Sequence, residues 1–366
     1  MQRFIPGLLP LVLCLSATAS ANEQSVPTDP LQQPALHSQM APRALILDVT
    51  KAGDAVVAVG ERGFILRSED EGQSWQQVEV PVSVTLTRVD FPTSDQGWAI
   101  GHAGTILHSD DSGLSWKIQL DGRQAARLVL EEAEQRLTAK PGQAAERRLR
   151  DAKNLMSDGP DKPFLAVHFS DAKRGLAVGA YGLAFATEDG GATWQPADER
   201  LDNPGALHLY AIESLGTDLF IAGEQGLLLR SRDGGTSFQA LDSPASGTLF
   251  GLVAIGQKSL LAYGLRGKAY LSEDGGDSWQ SVPNPQPITL TAGTRLSDGR
   301  VLLLDESGRM LASGDPRRGF STTALDEPTY LTGLTELADG QLVLSGARGL
   351  SRLNLDALNR SAIREQ

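Results

Sequence analysis

Val59-Gly60-Glu61-Arg62-Gly63-Phe64-Ile65-Leu66-Arg67-Ser68-Glu69-Asp70-Glu71-Gly72-Gln73-Ser74-Trp75 holds two turns separated by a short apolar-rich run, and both turns recur along the chain. The glycine turn returns as Ile100-Gly101-His102-Ala103-Gly104, Val178-Gly179-Ala180-Tyr181-Gly182, Ala222-Gly223-Glu224-Gln225-Gly226, Tyr263-Gly264-Leu265-Arg266-Gly267 and Ser345-Gly346-Ala347-Arg348-Gly349. Leu304-Asp305-Glu306-Ser307-Gly308 is a further copy with its first glycine replaced. The turns begin at 60, 101, 179, 223, 264, 305 and 346, in steps of 41, 78, 44, 41, 41 and 41. The long step is one repeat plus an insertion.

Ten residues after each turn position stands an aspartate: Asp70, Asp111, Asp189, Asp233, Asp274, Asp315 and Asp356. The motif Ser68 to Trp75 is repeated at Ser109 to Trp116, Thr187 to Trp194, Ser231 to Phe238 and Ser272 to Trp279. The sixth copy keeps Ser313, Asp315 and Phe320, and the seventh Asn354 and Asp356. A carboxylate and a hydroxyl two apart can accept the N–H groups of a tight turn, and the glycine two later supplies a positive φ. The closing rings Trp75, Trp116, Trp194 and Trp279 are assigned to packing between sheets. Calcium binding or catalysis by these aspartates is the weaker reading, because a catalytic acid does not recur around a ring.

Each unit reads as four short strands. In the second they are 86–91, 97–100, 105–108 and 115–120, punctuated by glycine and aspartate. Four-stranded units repeated at this spacing predict an all-β fold, a seven-bladed β-propeller spanning 43–361. The last unit lacks an obvious fourth strand, so the N-terminal segment 22–42, near Pro34 to Gln39, is expected to supply it and cover the open edge. Residues 121–162 break the pattern. Arg123 to Lys140 and Gly142 to Met156 are rich in helix formers around Pro141-Gly142 and predict a helical hairpin between blades two and three, either a solvated decoration or a grip on a partner.

The N-terminus reads as a signal peptide: Arg3, an apolar run from Phe4 to Leu15, then Ala19-Ser20-Ala21, with cleavage expected after Ala21 and export to the periplasm. That run is too short for a bilayer span of roughly 20 residues. The one cysteine, Cys14, lies in the segment, so no disulfide, thiolate metal site or cysteine nucleophile is expected in the mature chain. Formal net charge is −12, and losing residues 1–21 removes only Arg3. An acidic surface argues against nucleic acid as partner. The five histidines show no metal-ligand spacing, and no nucleophile elbow, phosphate loop or dinucleotide fingerprint occurs. No cofactor, metal or direct membrane insertion is expected, and the chain is read as a monomer.

Function is therefore sought on a face. The turn of the Ser68-to-Trp75 motif and its copies, the Asp box, joins third and fourth strands, whereas the glycine turn joins second and third and shares the opposite face with the links between blades, the hairpin among them. Arg62, His102, Tyr181, Glu224, Arg266 and Arg348 are placed on that face, which is the candidate for partner binding. Thirteen residues before each turn stand Leu47, Arg88, Ala166, Tyr210, Gly251, Ala292 and Gly333. Most are small, as a crowded axis favours; Arg88 and Tyr210 depart and either point into the opening or are satisfied structural side chains.

The turn Val59-Gly60-Glu61-Arg62-Gly63 followed by Ile65 to Trp75 resembles the photosystem II stability and assembly factor family of Asp-box propellers, over about residues 44–357. The resemblance implies a non-catalytic scaffold that assists assembly of a membrane protein complex on its periplasmic side through a basic patch. Here Arg62, Arg266 and Arg348 match the arginine of that turn, so the patch is thinner. Among bacterial relatives the resemblance also implies association with a resistance-nodulation-type exporter. Asp boxes occur in sialidases too, and a sialidase-like glycoside hydrolase is the alternative. Against it, Ala41-Pro42-Arg43-Ala44 stands where an Arg-Ile-Pro signature is usual, and no tyrosine–glutamate nucleophile pair can be placed.

Overall fold

The computed structural model describes residues 29–284, 286–325 and 327–355. The signal-peptide segment with Cys14, and Asp356 of the last repeat, lie outside them. Seven antiparallel sheets follow one another in chain order. Six have four strands, as in Ile46–Ala52, Ala55–Gly60, Ile65–Ser68 and Gln76–Gln77 of the first, and the seventh has three, Leu331–Glu336, Leu342–Gly346 and Gly349–Leu353. The first strand of each sheet touches the first strand of the next, and the first strand of the seventh touches that of the first, so the sheets form a propeller-like ring. Thr332 fastens the closure by donating its hydroxyl to the Ile46 carbonyl at 2.6 Å.

The expected closure by the N-terminal segment does not hold. Residues 34–39 run along the outer edge of the first sheet, where the Ala35 N–H donates to the Val80 carbonyl at 3.0 Å and the Gln77 side chain bonds Ser38 and Leu36. The last sheet keeps three strands among the described residues. Its neighbour on the N-terminal side is the short turn Ala41–Arg43, against which Gly349 packs so tightly that a Cβ would lie 1.9 Å from the Pro42 carbonyl oxygen.

The apolar core is divided into clusters that each span two adjacent sheets. One joins Val57, Val59 and Ile65 of the first sheet to Leu86, Val89, Leu107 and Trp116 of the second. The others follow around the ring, and Trp194, Phe238 and Trp279 enter the interface between their own sheet and the one before. Second strands such as Ala55–Gly60 and Gly97–Gly101 are buried at every position, and with clusters that run from sheet to sheet this makes burial between sheets the main source of stability.

The Asp box is the same local device five times. In the first copy the Ser68 hydroxyl accepts the Gly72 N–H at 2.8 Å and donates to Asp70 at 2.8 Å, while Asp70 accepts the Ser74 N–H at 2.8 Å and the Ser74 hydroxyl at 2.6 Å. Gly72 sits at φ +76, a conformation costly for any other residue. These bonds hold the Asp70, Asp233 and Asp274 carboxyls down at about 2. Asp111 and Asp189 are lowered as well.

Two helices, α1 (Gly122–Ala139) and α2 (Gln143–Asp158), leave the second sheet and return to the third. Asp121 caps α1 through the Arg123 and Gln124 N–H groups, and Gln124 reaches back in a capping box. Ala125, Val129, Ala133 and Ala152 are buried in the cluster shared by sheets two and three, so the pair is packed on the ring.

Candidate functional site

In the first six sheets the link after the glycine turn lies against that turn. Ideal Cβ atoms on Gly63, Gly226, Gly267 and Gly308 would fall 2.0–2.3 Å from the backbone of the following link, and one on Gly104 would fall 2.6 Å from Gly122 at the foot of α1. Turns, links and helical pair therefore share one face. Five turns place their third residue in the left-handed region: Arg62, Ala103, Tyr181, Gln225 and Arg266, at φ 55–56.

At the centre of this face is a mouth of about 460 Å³. Its rim takes one residue from each first strand: Leu47, Thr87, Leu165, Tyr210, Phe250, Thr291 and Thr332. Tyr330, Leu265 and Glu306 widen it. Arg88 and Tyr210 both border the mouth and the cavity beneath. The exposed turn residues Arg62, His102, Arg266 and Arg348 stand on the same face outside the lining, and Leu265 and Glu306, one position earlier in their turns than Arg266, face inward instead. Arg62 and Arg348 are on neighbouring sheets, while Arg266 stands on the fifth. None of the three has a carboxylate within ion-pair reach among the described residues.

Aromatic groups run from the helical pair to the axis. The Lys162 ammonium lies 5.3 Å from the Tyr181 ring centre. Tyr181 meets His208 edge-on at 4.6 Å, His208 lies 6.3 Å from Tyr210, and Tyr210 meets Phe250 at 5.2 Å. Tyr181 is 63% exposed, so this row starts on an open surface. Burial, and then the Glu224 charge, raise the Tyr210 phenol above its ordinary value. Beside Tyr181, a cleft of about 320 Å³ runs between α2 and the third sheet, lined by Val129, Leu155, Leu183 and Phe185 with Arg148 and Lys162.

Counting back from the turns differs from the strand pairing in two sheets. By strand pairing, the partner of the residue before the turn is Asp48 in the first sheet and Ala211 in the fourth, where the count gives Leu47 and Tyr210. The other five sheets pair as counted, Arg88 with Ile100 among them. The first hairpins of sheets one and four are one residue shorter, as in the direct Ala52–Ala55 pairing, and a shift of one turns a strand over. The Arg88 guanidinium thereby meets Asp48 at 3.4 Å, and Asp48 also accepts the Val89 N–H at 3.0 Å.

Sequence reading missed the groups below this ring. Asp90 accepts the Phe169 N–H at 2.8 Å, and burial, with a smaller push from Asp48, drives its carboxyl up to about 7. Burial, with a smaller push from Asp90, drives Glu213 up to about 7. Asp48 is raised by burial against the opposing Arg88 charge. The signal was present in principle: Asp90 and Glu213 each lie two residues beyond an axial position on a strand of period two.

The model of a family described as photosynthesis system II assembly factor YCF48 matches residues 32–137 and 153–318. A Synechococcus sp. (strain CC9902) protein named photosystem II assembly lipoprotein Ycf48 is 34% identical over 97 residues, which is 26% of this chain and 29% of that protein. The chain thus matches less than a third of that relative's length. Among solved structures, YCF48 bound to a D1 peptide superposes with a TM-score of 0.62 at 17% identity, over 90% of this chain and 99% of that one. YCF48 from Cyanidioschyzon merolae gives 0.62 at 15%, over 86% and 97%. The WD40 propeller domain of Doa1 gives 0.58 at 11%, over 88% and 95%, so at these identities the likeness is one of fold.

Proposed function

Given that the chain belongs to the Ycf48 family of photosystem II assembly factors, we propose that it is a non-catalytic scaffold whose glycine-turn face holds an exposed segment of a membrane protein complex during assembly. In this reading the seven sheets are the blades of one propeller, the helical pair is an insertion between the second and third, and the protein is exported, cleaved after Ala21, and acts in the periplasm as a monomer. The lipoprotein name of the Synechococcus relative supports export. The observation that carries the reading is the surface itself: an aromatic path from Tyr181 to Phe250 leads into an open mouth, and on the same face the guanidiniums of Arg62 and Arg348 have no carboxylate within ion-pair reach among the described residues. Such a surface suits an extended peptide, with rings supplying contact area and cations the orientation. A peptide is also the ligand named for the solved YCF48 complex.

Photo-crosslinkers placed at Tyr181, Arg348 and, as control, Asp111 test this in cells. The expected result is a membrane-protein adduct from the first two positions only. Adducts confined to the Asp111 face would reject the assignment. The same experiment decides whether the client is a photosynthetic complex or an exporter of the resistance-nodulation type.

A further inference from the structure

Below the mouth the axis opens into a polar cavity of about 310 Å³. Three carboxylates border it, Asp48, Asp90 and Glu213, against one guanidinium, Arg88. His168 lies on the third sheet, between the sheets that carry Asp90 and Glu213, and its ring has no hydrogen-bond partner among the described residues; burial holds its imidazole below the ordinary value. Tyr263 comes from the second strand of the fifth sheet and crosses Gly251, where a Cβ would stand 2.0 Å from the phenolic oxygen. The glycine is what lets this ring reach the axis.

Tyr263 is only 3% exposed, yet its hydroxyl borders the cavity and has no hydrogen-bond partner among the described residues. A phenol that opens only onto this cavity takes its hydrogen-bond partner from whatever fills the space beside it. No three Asp, Glu, His or Cys side chains among the described residues converge closely enough to hold a metal ion. The volume equals about ten waters at roughly 30 Å³ each. Both facts favour a ligand longer than a bare cation, with hydrogen-bond donors at separate points.

We propose that this axial cavity binds a small organic dication with two primary ammonium groups, a short diamine, between the carboxylates of Asp48, Asp90 and Glu213 and the Tyr263 hydroxyl. The charges set the valence. With all three acids ionised and Arg88 protonated the wall carries two net negative charges, which a dication neutralises. Each ammonium offers three donors and no acceptor, matching carboxylates and a phenol oxygen. Arg88 keeps one end cationic, so the ammonium groups are placed toward Asp90 and Glu213. Acids that titrate near neutrality make the affinity pH-dependent: binding ionises Asp90 and Glu213 and so releases protons near pH 7.

Calorimetric titration of 1,4-diaminobutane into the full chain tests this. Binding is expected near pH 8, with heats near pH 7 that depend on the buffer's ionisation, and no detectable binding near pH 5. Asp90→Asn and Glu213→Gln are each expected to weaken binding about tenfold or more, and Tyr263→Phe about threefold. Near-ultraviolet dichroism checks folding, and if one acid variant fails to fold the other decides. Unchanged affinity in the folded acid variants, equal binding near pH 5, or Mg²⁺ displacing the amine at matched ionic strength would each overturn the proposal. The proposal stands apart from partner docking, because the crosslinks above need no diamine.

Discussion

Arg148 of α2 holds Asp198, two residues beyond the last strand of the third sheet, through both guanidinium ends: Nη2 lies 2.9 Å from Oδ1, and Nη1 bonds Oδ2. The same side chain donates Nε to Glu132 of α1 at 2.9 Å. One arginine thus ties both helices to the ring. Arg148→Ala is expected to cost about 1–2 kcal/mol, at the lower end for charged hydrogen bonds because Asp198 and Glu132 are 31% and 34% exposed. Hydrogen exchange should then accelerate in residues 122–158 while the sheet strands stay protected. Uniform protection would mean that apolar packing alone holds the pair.

Trp194 is 4% exposed and meets Phe169 edge-on at 6.0 Å in the interface of the second and third sheets. Trp194→Ala is expected to lower stability by about 3–5 kcal/mol. Asp189→Ala removes the acceptor of an exposed turn, so its fall in Tm should be distinctly smaller. Both variants should keep partner binding at temperatures where they remain folded. Loss of binding with an unchanged Tm would give the box a recognition role.

The buried acids fix a sign for pH. Asp90 and Glu213 sit at about 7 in the fold against ordinary values of 3.8 and 4.5, so the folded chain retains protons that the unfolded chain gives up. Their contribution is complete below about pH 4 and is lost as pH rises toward 7. The box aspartates act the other way: Asp70, Asp233 and Asp274 lie at about 2, so their contribution is lost as pH falls from about 4 toward 2. Tm is therefore expected to peak near pH 4–5, and Glu213→Gln to flatten the fall on the alkaline side. A wild-type maximum at pH 8 would contradict this.

Reversing Arg62, Arg266 and Arg348 to glutamate should slow association with the client and reduce its salt dependence, because exposed charges steer encounter more than they hold a complex. Replacing 124–156 with a short glycine–serine link should instead speed dissociation, by removing the apolar cleft beside Tyr181. Surface plasmon resonance separates the two rates. Normal kinetics in both variants would exclude this face.

A panel of fluorogenic sialosides and other glycosides should show no turnover. Activity that survives repurification and disappears with Asp90→Asn would move the axial acids from a binding role to catalysis.

Much of the architecture was already legible in the chain. The Ser68–Asp70–Gly72–Ser74 bonds join residues two to four apart, so their spacing survives in sequence, and seven glycine turns in phase announce seven units. Tertiary structure alone decided what meets at the axis. Asp48, Asp90, Glu213 and Tyr263 come from four sheets, and whether a residue faces the cavity depends on pairing register. A hairpin shorter by one residue puts Asp48 there in place of Leu47. It also decided the place of residues 34–39, whose backbone groups satisfy the first sheet's edge, since hydrogen bonding to either open edge was equally compatible with their sequence. Local bonds repeat with the sequence that makes them, whereas contacts between distant strands are set by register, and no window of a single repeat contains both partners.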